Sequence, residues 1–234
     1  MRRCPRGHDR LRALQVAAKP FPVAATSRSS AGASSASPNL FTADIAGKQR
    51  DLVGEGQKSG DYWALDRDSG GIVWTTKVAP AGFLGGMEGT SAIRNGVIAV
   101  PATNWTDPTG PGTGLVTALN AASGAANWSN PQDAPAASPA AIAGEIVFHA
   151  GLDGILHAYA LREGTELGNT DVGASVSGGI AVAEGIVVLG AGTPQFAPFI
   201  RPGNTIRAFG LGGSPATPGA GTPTMATPVA SAGG

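Results

Sequence analysis

Several ingredients are scarce in this chain. Charged residues make up 14% of it and aromatics 6%, there is a single cysteine, and no stretch approaches the run of ~18 apolar residues that a membrane span needs. Each scarcity excludes something. One cysteine, Cys4, forbids an internal disulfide, and Cys4-Pro-Arg-Gly-His8 lacks the second cysteine of a haem-attachment motif, so it reads as a polar tail and not as a metal site. Lysine plus arginine balance aspartate plus glutamate at 16 each, which leaves no global field to draw nucleic acid or a membrane surface. Partner choice must come from a local site. The segment "LRALQVAAKPFPVAA" is interrupted by Lys19, Pro20 and Pro22, so no apolar core of a secretory signal is visible.

What is abundant is glycine (36) and proline (18), against a hydrophobic content of 42% over 234 residues. That composition suits one globular domain with many turns and few helices. Residues 1–34 carry Arg2, Arg3, Arg6, Arg10 and Arg12 and no lasting period, and read as a disordered or mistranslated leader. Residues 212–234, rich in Ala, Gly, Pro and Thr, lack the apolar residues needed to offset ordering entropy and read as a disordered tail.

Between these ends, residues 35–211 repeat. "SAIRNGVIAVPA" (91–102), "PAAIAGEIVFHA" (139–150) and "GIAVAEGIVVLGA" (179–191) share the cadence apolar strand, glycine turn, β-branched strand. Each precedes a second element, and "DYWALDRDSGGIVW" is an earlier copy of that second element. Ala64, Ala118, Ala158 and Ala208 fall in register at spacings of 54, 40 and 50 residues. A four-stranded antiparallel unit repeating every ~40–50 residues predicts a β-propeller. The expectation is all-β: an incomplete propeller of about four blade units, the first of them incomplete. The insertions "NWTDPTGPGT" and "GTPQFAPFIRPG" are expected between the second and third strands of their blades.

Within the repeat, Ala64-Leu-Asp-Arg-Asp-Ser-Gly70-x-x-x-Trp74 recurs as Ala118-Leu-Asn-Ala-Ala-Ser-Gly124-x-x-x-Trp128. Asp66 or Asn120 can close the turn on its own backbone, and Gly70 or Gly124 supplies a left-handed residue. The small alanine leaves room for an indole, so Trp74 and Trp128 are expected to wedge between blades. In the third copy Gly168 stands where the tryptophan would fall.

This pattern resembles the tryptophan-docking repeat of pyrroloquinoline quinone (PQQ) enzymes and of non-catalytic propellers built from the same unit. The stretch "SPNLFTADIAGKQRDLVGEGQKSGDYWALDRDSG" is similar to a blade in the C-terminal half of quinoprotein alcohol dehydrogenases, especially those like polyvinyl alcohol dehydrogenase. The resemblance implies that Lys58 contacts the ortho-quinone oxygens of PQQ, where a fixed cation stabilises the charge developed on hydride transfer. It also implies that Glu88, in "LGGMEGTSA", faces the cofactor. It places the family's catalytic aspartate near Ser34 or Ser35, and serine cannot replace a carboxylate as base. The family's calcium ligands would come from blades preceding Ser37 and are not present here, nor is its pair of adjacent cysteines.

The remaining candidates are weak. His149 and His157, eight apart, are not at the spacing of a helical metal pair and read as strand histidines with local hydrogen bonds. Gly151-Leu-Asp-Gly154 reads as a hairpin turn, Ser177 lacks a nucleophile-elbow context, and no P-loop is present. Two functions follow as expectations. One is a fragment or degenerate copy of a PQQ-dependent alcohol dehydrogenase, acting on a small or polymeric alcohol in the periplasm or outside the cell. The other is a non-catalytic propeller scaffold that binds a protein or glycan. Whether the chain is an enzyme is left open by these residues, and open propeller edges imply self-association.

Overall fold

The computed structural model describes residues 36–82, 84–107, 109–193 and 197–210, so the leader and tail fall outside the described residues. Fifteen strands form four antiparallel meanders, with no helix among the described residues. The first sheet contains β1 (Asn39–Ile45), β2 (Lys48–Gly56), β3 (Asp61–Asp66) and β4 (Ile72–Lys77). The second contains β5 (Ala92–Arg94), β6 (Val97–Asn104), β7 (Thr113–Asn120) and β8 (Ala126–Gln132). The third contains β9 (Ala141–Ala143), β10 (Ile146–Ala150), β11 (Ile155–Ala160) and β12 (Glu166–Asp171), and the fourth β13 (Ile180–Ala183), β14 (Ile186–Ala191) and β15 (Thr205–Gly210). Strands pair in sequence order within every sheet, and the first strands lie side by side from β1 to β5 to β9 to β13. This is an incomplete β-propeller whose blades are stacked by their inner strands.

The expectation that the first unit is the incomplete one is corrected. Ala46 and Gly47 both take left-handed backbone (φ 54° and 80°), the geometry of a tight hairpin, and so join β1 to β2. The alternating burial of β1 then completes a four-stranded blade, and it is the fourth blade that shows three described strands. Asn95-Gly96 and Glu184-Gly185 make the same turn in blades 2 and 4. Both insertions lie where the sequence puts them, between β6 and β7 and between β14 and β15.

The Ala/Gly/Trp pattern now has a mechanical meaning. In three blades the alanine of the third strand faces the same position of the fourth: Ala64 opposite Trp74, Ala118 opposite Trp128, Ala158 opposite Gly168. A one-residue register shift follows each alanine. Trp74 crosses to blade 2 and donates its indole N–H to the Ala121 carbonyl (3.1 Å), and Trp128 crosses to blade 3 and donates to that of Leu161 (3.0 Å). Each ring lies over the turn glycine of the next blade. A Cβ on Gly124 or on Gly164 would stand 2.5 Å from the ring, so neither glycine can carry a side chain. Asp66 and Asn120 close the turns as expected, accepting backbone N–H bonds from Ser69 (2.8 Å) and Ser123 (3.1 Å). The core therefore falls into three inter-blade layers and not one central mass. The first two layers each contain a tryptophan, and the third, between blades 3 and 4, has none.

Candidate functional site

Lys58 lies in the loop from β2 to β3. Gly60 N–H bonds back to the Gln57 carbonyl (2.9 Å), which makes Lys58 the first corner of a β-turn. Gly60 has φ 88° and sits directly under the Ala79 carbonyl, while Val78 N–H donates to the Gly60 carbonyl (2.8 Å). Blade 3 builds the same device from different residues. Gly154 N–H bonds to the Gly151 carbonyl (3.1 Å), Gly154 has φ 76°, and Val172 N–H donates to its carbonyl (2.8 Å). Leu152 occupies the corner that Lys58 holds in blade 1. The turn therefore does not require a lysine at this corner, since the same backbone bonds close it in both blades.

Glu88 reaches Lys58 through the connection from blade 1 to blade 2. Met87 N–H donates to the Gln57 carbonyl (3.1 Å), and Gly86 is bridged to Thr103 of β6 in both directions (3.1 and 2.8 Å). Gly86 has φ 78°, and a Cβ there would lie 2.5 Å from the Lys58 carbonyl, so this glycine is what lets the two segments touch. The result is an ion pair: Lys58 Nζ donates to Glu88 Oε1 at 2.5 Å, with side chains 21% and 17% exposed. A charge-assisted bond this shielded is stronger than a surface pair. The ammonium has three N–H donors and Glu88 Oε1 accepts one. The two residues that sequence reasoning named separately are therefore brought together.

Glu88 also borders a recess of about 250 Å³, where Leu84, Thr103, Pro135, Leu152 and Ser177 converge from three blades. That is below the ~300–1,000 Å³ typical of ligand pockets. Leu152, Pro135 and Thr103 were not singled out from the sequence. Leu152 was legible in principle, since Gly151-Leu-Asp-Gly154 repeats the turn of Gln57-Lys-Ser-Gly60. Ser177 was considered only as a nucleophile, and lies here because Val176 N–H bonds the Gly151 carbonyl (3.0 Å) just as Met87 bonds Gln57. Trp63 donates its indole N–H to Gln57 Oε1 (3.0 Å), which puts a fluorophore beside the Lys58 turn.

Ser34 and Ser35 fall outside the described residues. Among the described residues no group of three or more His, Cys, Asp or Glu is placed to hold a metal ion. The reading of the two histidines is half corrected. Eight residues apart across a hairpin, His149 and His157 are direct cross-strand partners. His157 Nδ1 meets Glu166 Oε1 at 2.8 Å, as a local bond should, but His149 is fully buried and neither of its ring nitrogens has a well-formed partner. Burial, and then the neighbouring His157, push the His149 pKa down to about 3, so the ring is neutral. Burial likewise raises Tyr62, which stacks on Trp74 in the first inter-blade layer.

Residues 58–167 match a family described as outer membrane protein assembly factor BamB. No curated protein matches the sequence. Among solved structures, the quinohemoprotein alcohol dehydrogenase ADHIIG of Pseudomonas putida HK5 is similar at 17% identity and a TM-score of 0.63, over 76% of this chain and 39% of that one. The quinohemoprotein alcohol dehydrogenase of Comamonas testosteroni is similar at 19% identity and a TM-score of 0.63, over 81% of this chain and 40% of that one. A europium-containing methanol dehydrogenase is similar at 15% identity and a TM-score of 0.55, over 68% and 39%. At such identities the likeness shows the fold, and the chain spans about 40% of the length of these dehydrogenases.

Proposed function

We propose, from the premise that this chain is a PQQ-repeat β-propeller resembling the quinoprotein alcohol dehydrogenases, that it forms the part of such an enzyme in which Lys58 meets the quinone. One observation carries the reading. The same turn is built with Leu152 in blade 3, so the fold has no need of a cation at Lys58, yet Lys58 is held by Glu88 at the edge of the recess. The residues present fit one polar contact to PQQ. Among the described residues no cluster of carboxylates completes a calcium site. When bound, PQQ would supply the two-electron acceptor for oxidation of an alcohol to a carbonyl.

The chain's own contributions are three. Lys58 presents a fixed positive charge with N–H donors left for a ligand oxygen. Glu88 orients that ammonium, and its own charge keeps the pair neutral until an electron-rich partner arrives. Leu152 and Pro135 give the recess that Glu88 borders an apolar wall. An alcohol, small or polymeric as in the polyvinyl alcohol class, is the substrate that accompanies this reading, with a periplasmic or extracellular setting. No helix of the described residues is long and apolar enough to cross a membrane. The exposed Leu40 and Ile206, on the first and last described strands, would mediate association of open edges.

The test is titration of PQQ into the chain, followed by tryptophan fluorescence. Quenching should weaken about tenfold or more in Lys58→Ala, as expected for loss of one charge-assisted bond. Equal affinities in the two proteins would sink the assigned role of Lys58.

A further inference from the structure

The third inter-blade layer departs from the other two in a way that leaves a built space. Gly168 holds the register position of Trp74 and Trp128, opposite Ala158, and a Cβ placed on it meets nothing within 4 Å. Ala64 and Ala118, under their tryptophans, are fully buried, whereas Ala158 is only partly buried. A cleft of about 480 Å³ occupies the place of the missing indole. Its lining is mostly apolar, with Phe148, Leu156, Ala158, Val187 and Phe209 on its walls. Phe148 stands where blade 1 has Gly54 and blade 2 has Ala99, since all three face the register alanine. Part of the lost volume is therefore returned as an aromatic wall, and the remainder stays open.

We infer that this cleft is a binding site for a free, small, planar aromatic molecule of the size of indole. The class of occupant follows from the register: at the two corresponding positions an indole is pressed over a turn glycine of the next blade, and for blade 4 that turn falls outside the described residues. Phe148 and Phe209 line the cleft, and offset or edge contacts between rings would add to the burial of apolar area. The source follows from the backbone. The chain position from which a side chain would enter is taken by Gly168, so a ring in this cleft has to come from a molecule other than this strand. The site is distinct from the recess that Glu88 borders, which has other lining residues.

The experiment uses the full chain and indole as the probe, read by differential scanning calorimetry. Indole at about five times its Kd should raise Tm by about 2–4 °C. Gly168→Trp should itself raise Tm and abolish the indole effect, because the covalent ring takes the space. If Gly168→Trp does not fold, Ala158→Leu fills the floor of the cleft and should weaken indole binding at least fivefold. In the wild type the methyl resonances of Leu156 and Val187 should be the ones that indole moves. No shift in the wild type, equal shifts in wild type and filled variants, or resonance changes elsewhere would overturn the proposal. An indole effect that appears only after residues 212–234 are removed would also overturn it, by assigning the cleft to the tail.

Discussion

Lowering the pH from 7 to 5 should destabilise this protein through one residue, His149. Its ring is fully buried without a well-formed hydrogen bond, and its folded pKa is about 3. An unfolded histidine titrates near 6.5. Between these values the unfolded chain binds a proton that the folded chain refuses, so stability is complete above the unfolded pKa and declines as the pH falls toward the folded one. The slope is about 1.4 kcal/mol per pH unit once the unfolded histidine is charged, and the loss between pH 7 and 5 comes to about 2 kcal/mol. With an m-value of about 2 kcal/mol per M urea, the unfolding midpoint should drop by about 1 M. The lowered carboxylates do not confuse this window. Asp66, Asp107, Glu166 and Asp171 are held below their ordinary values, so the stability they contribute is lost only as the pH falls through the usual carboxylate range, below 5. Urea titrations at half-unit pH steps on the wild type and on His149→Phe give the difference directly. Phenylalanine fills similar volume without titrating, so the variant should lose little or nothing between pH 7 and 5. Parallel curves for the two proteins would refute the assignment.

Three further outcomes follow from the packing. Gly124→Ala and Gly70→Ala both place alanine at left-handed φ (71° and 68°), but only the first meets an indole, at 2.5 Å. Gly70→Ala should cost about 1–2 kcal/mol and Gly124→Ala clearly more, as measured by chemical denaturation. Equal costs would mean that the ring is not docked there. Trp74→Ala and Trp128→Ala should each destabilise by about 3–5 kcal/mol in the same assay, and a cost under 1 kcal/mol would remove the inter-blade wedge from the account. Leu152→Lys should cost several kcal/mol although its turn is held by backbone bonds, because the Leu152 side chain is buried and an ammonium there would lose its water; a cost under about 1 kcal/mol would show that this corner is open to solvent.

The parts that were legible in the sequence are those whose cause is local. Asp66, Gly70 and Trp74 sit at fixed offsets because one turn and one register shift demand them, so a period of blade length could be read from spacing alone. Lys58 and Glu88 were legible as positions by resemblance, but their contact depends on Gly86, which acts only by letting two backbones approach. The complete first blade was missed because β1 and β2 carry charged and polar residues on their outer face, which dilutes the apolar cadence seen in the other copies. His149 and His157 were weighed at helical spacing, where eight residues mean separation, whereas across a hairpin the same eight make them neighbours. Gly168 was visible as a departure from the repeat. Its cleft was not visible, since the space is defined by blade 4, contributed by residues up to Phe209.

The most direct test of the proposal at Lys58 is a side-chain NMR titration with PQQ. The chain has lysines at 19, 48, 58 and 77, so ¹⁵N-lysine labelling gives a spectrum in which each ammonium can be assigned by substitution. The account predicts that PQQ moves the Lys58 signal most, and that Glu88→Gln alters the size of that movement because it changes the partner Lys58 holds in the free protein. A Lys58 signal that stays in place while PQQ is bound, or shifts no more than those of Lys48 and Lys77, would contradict it.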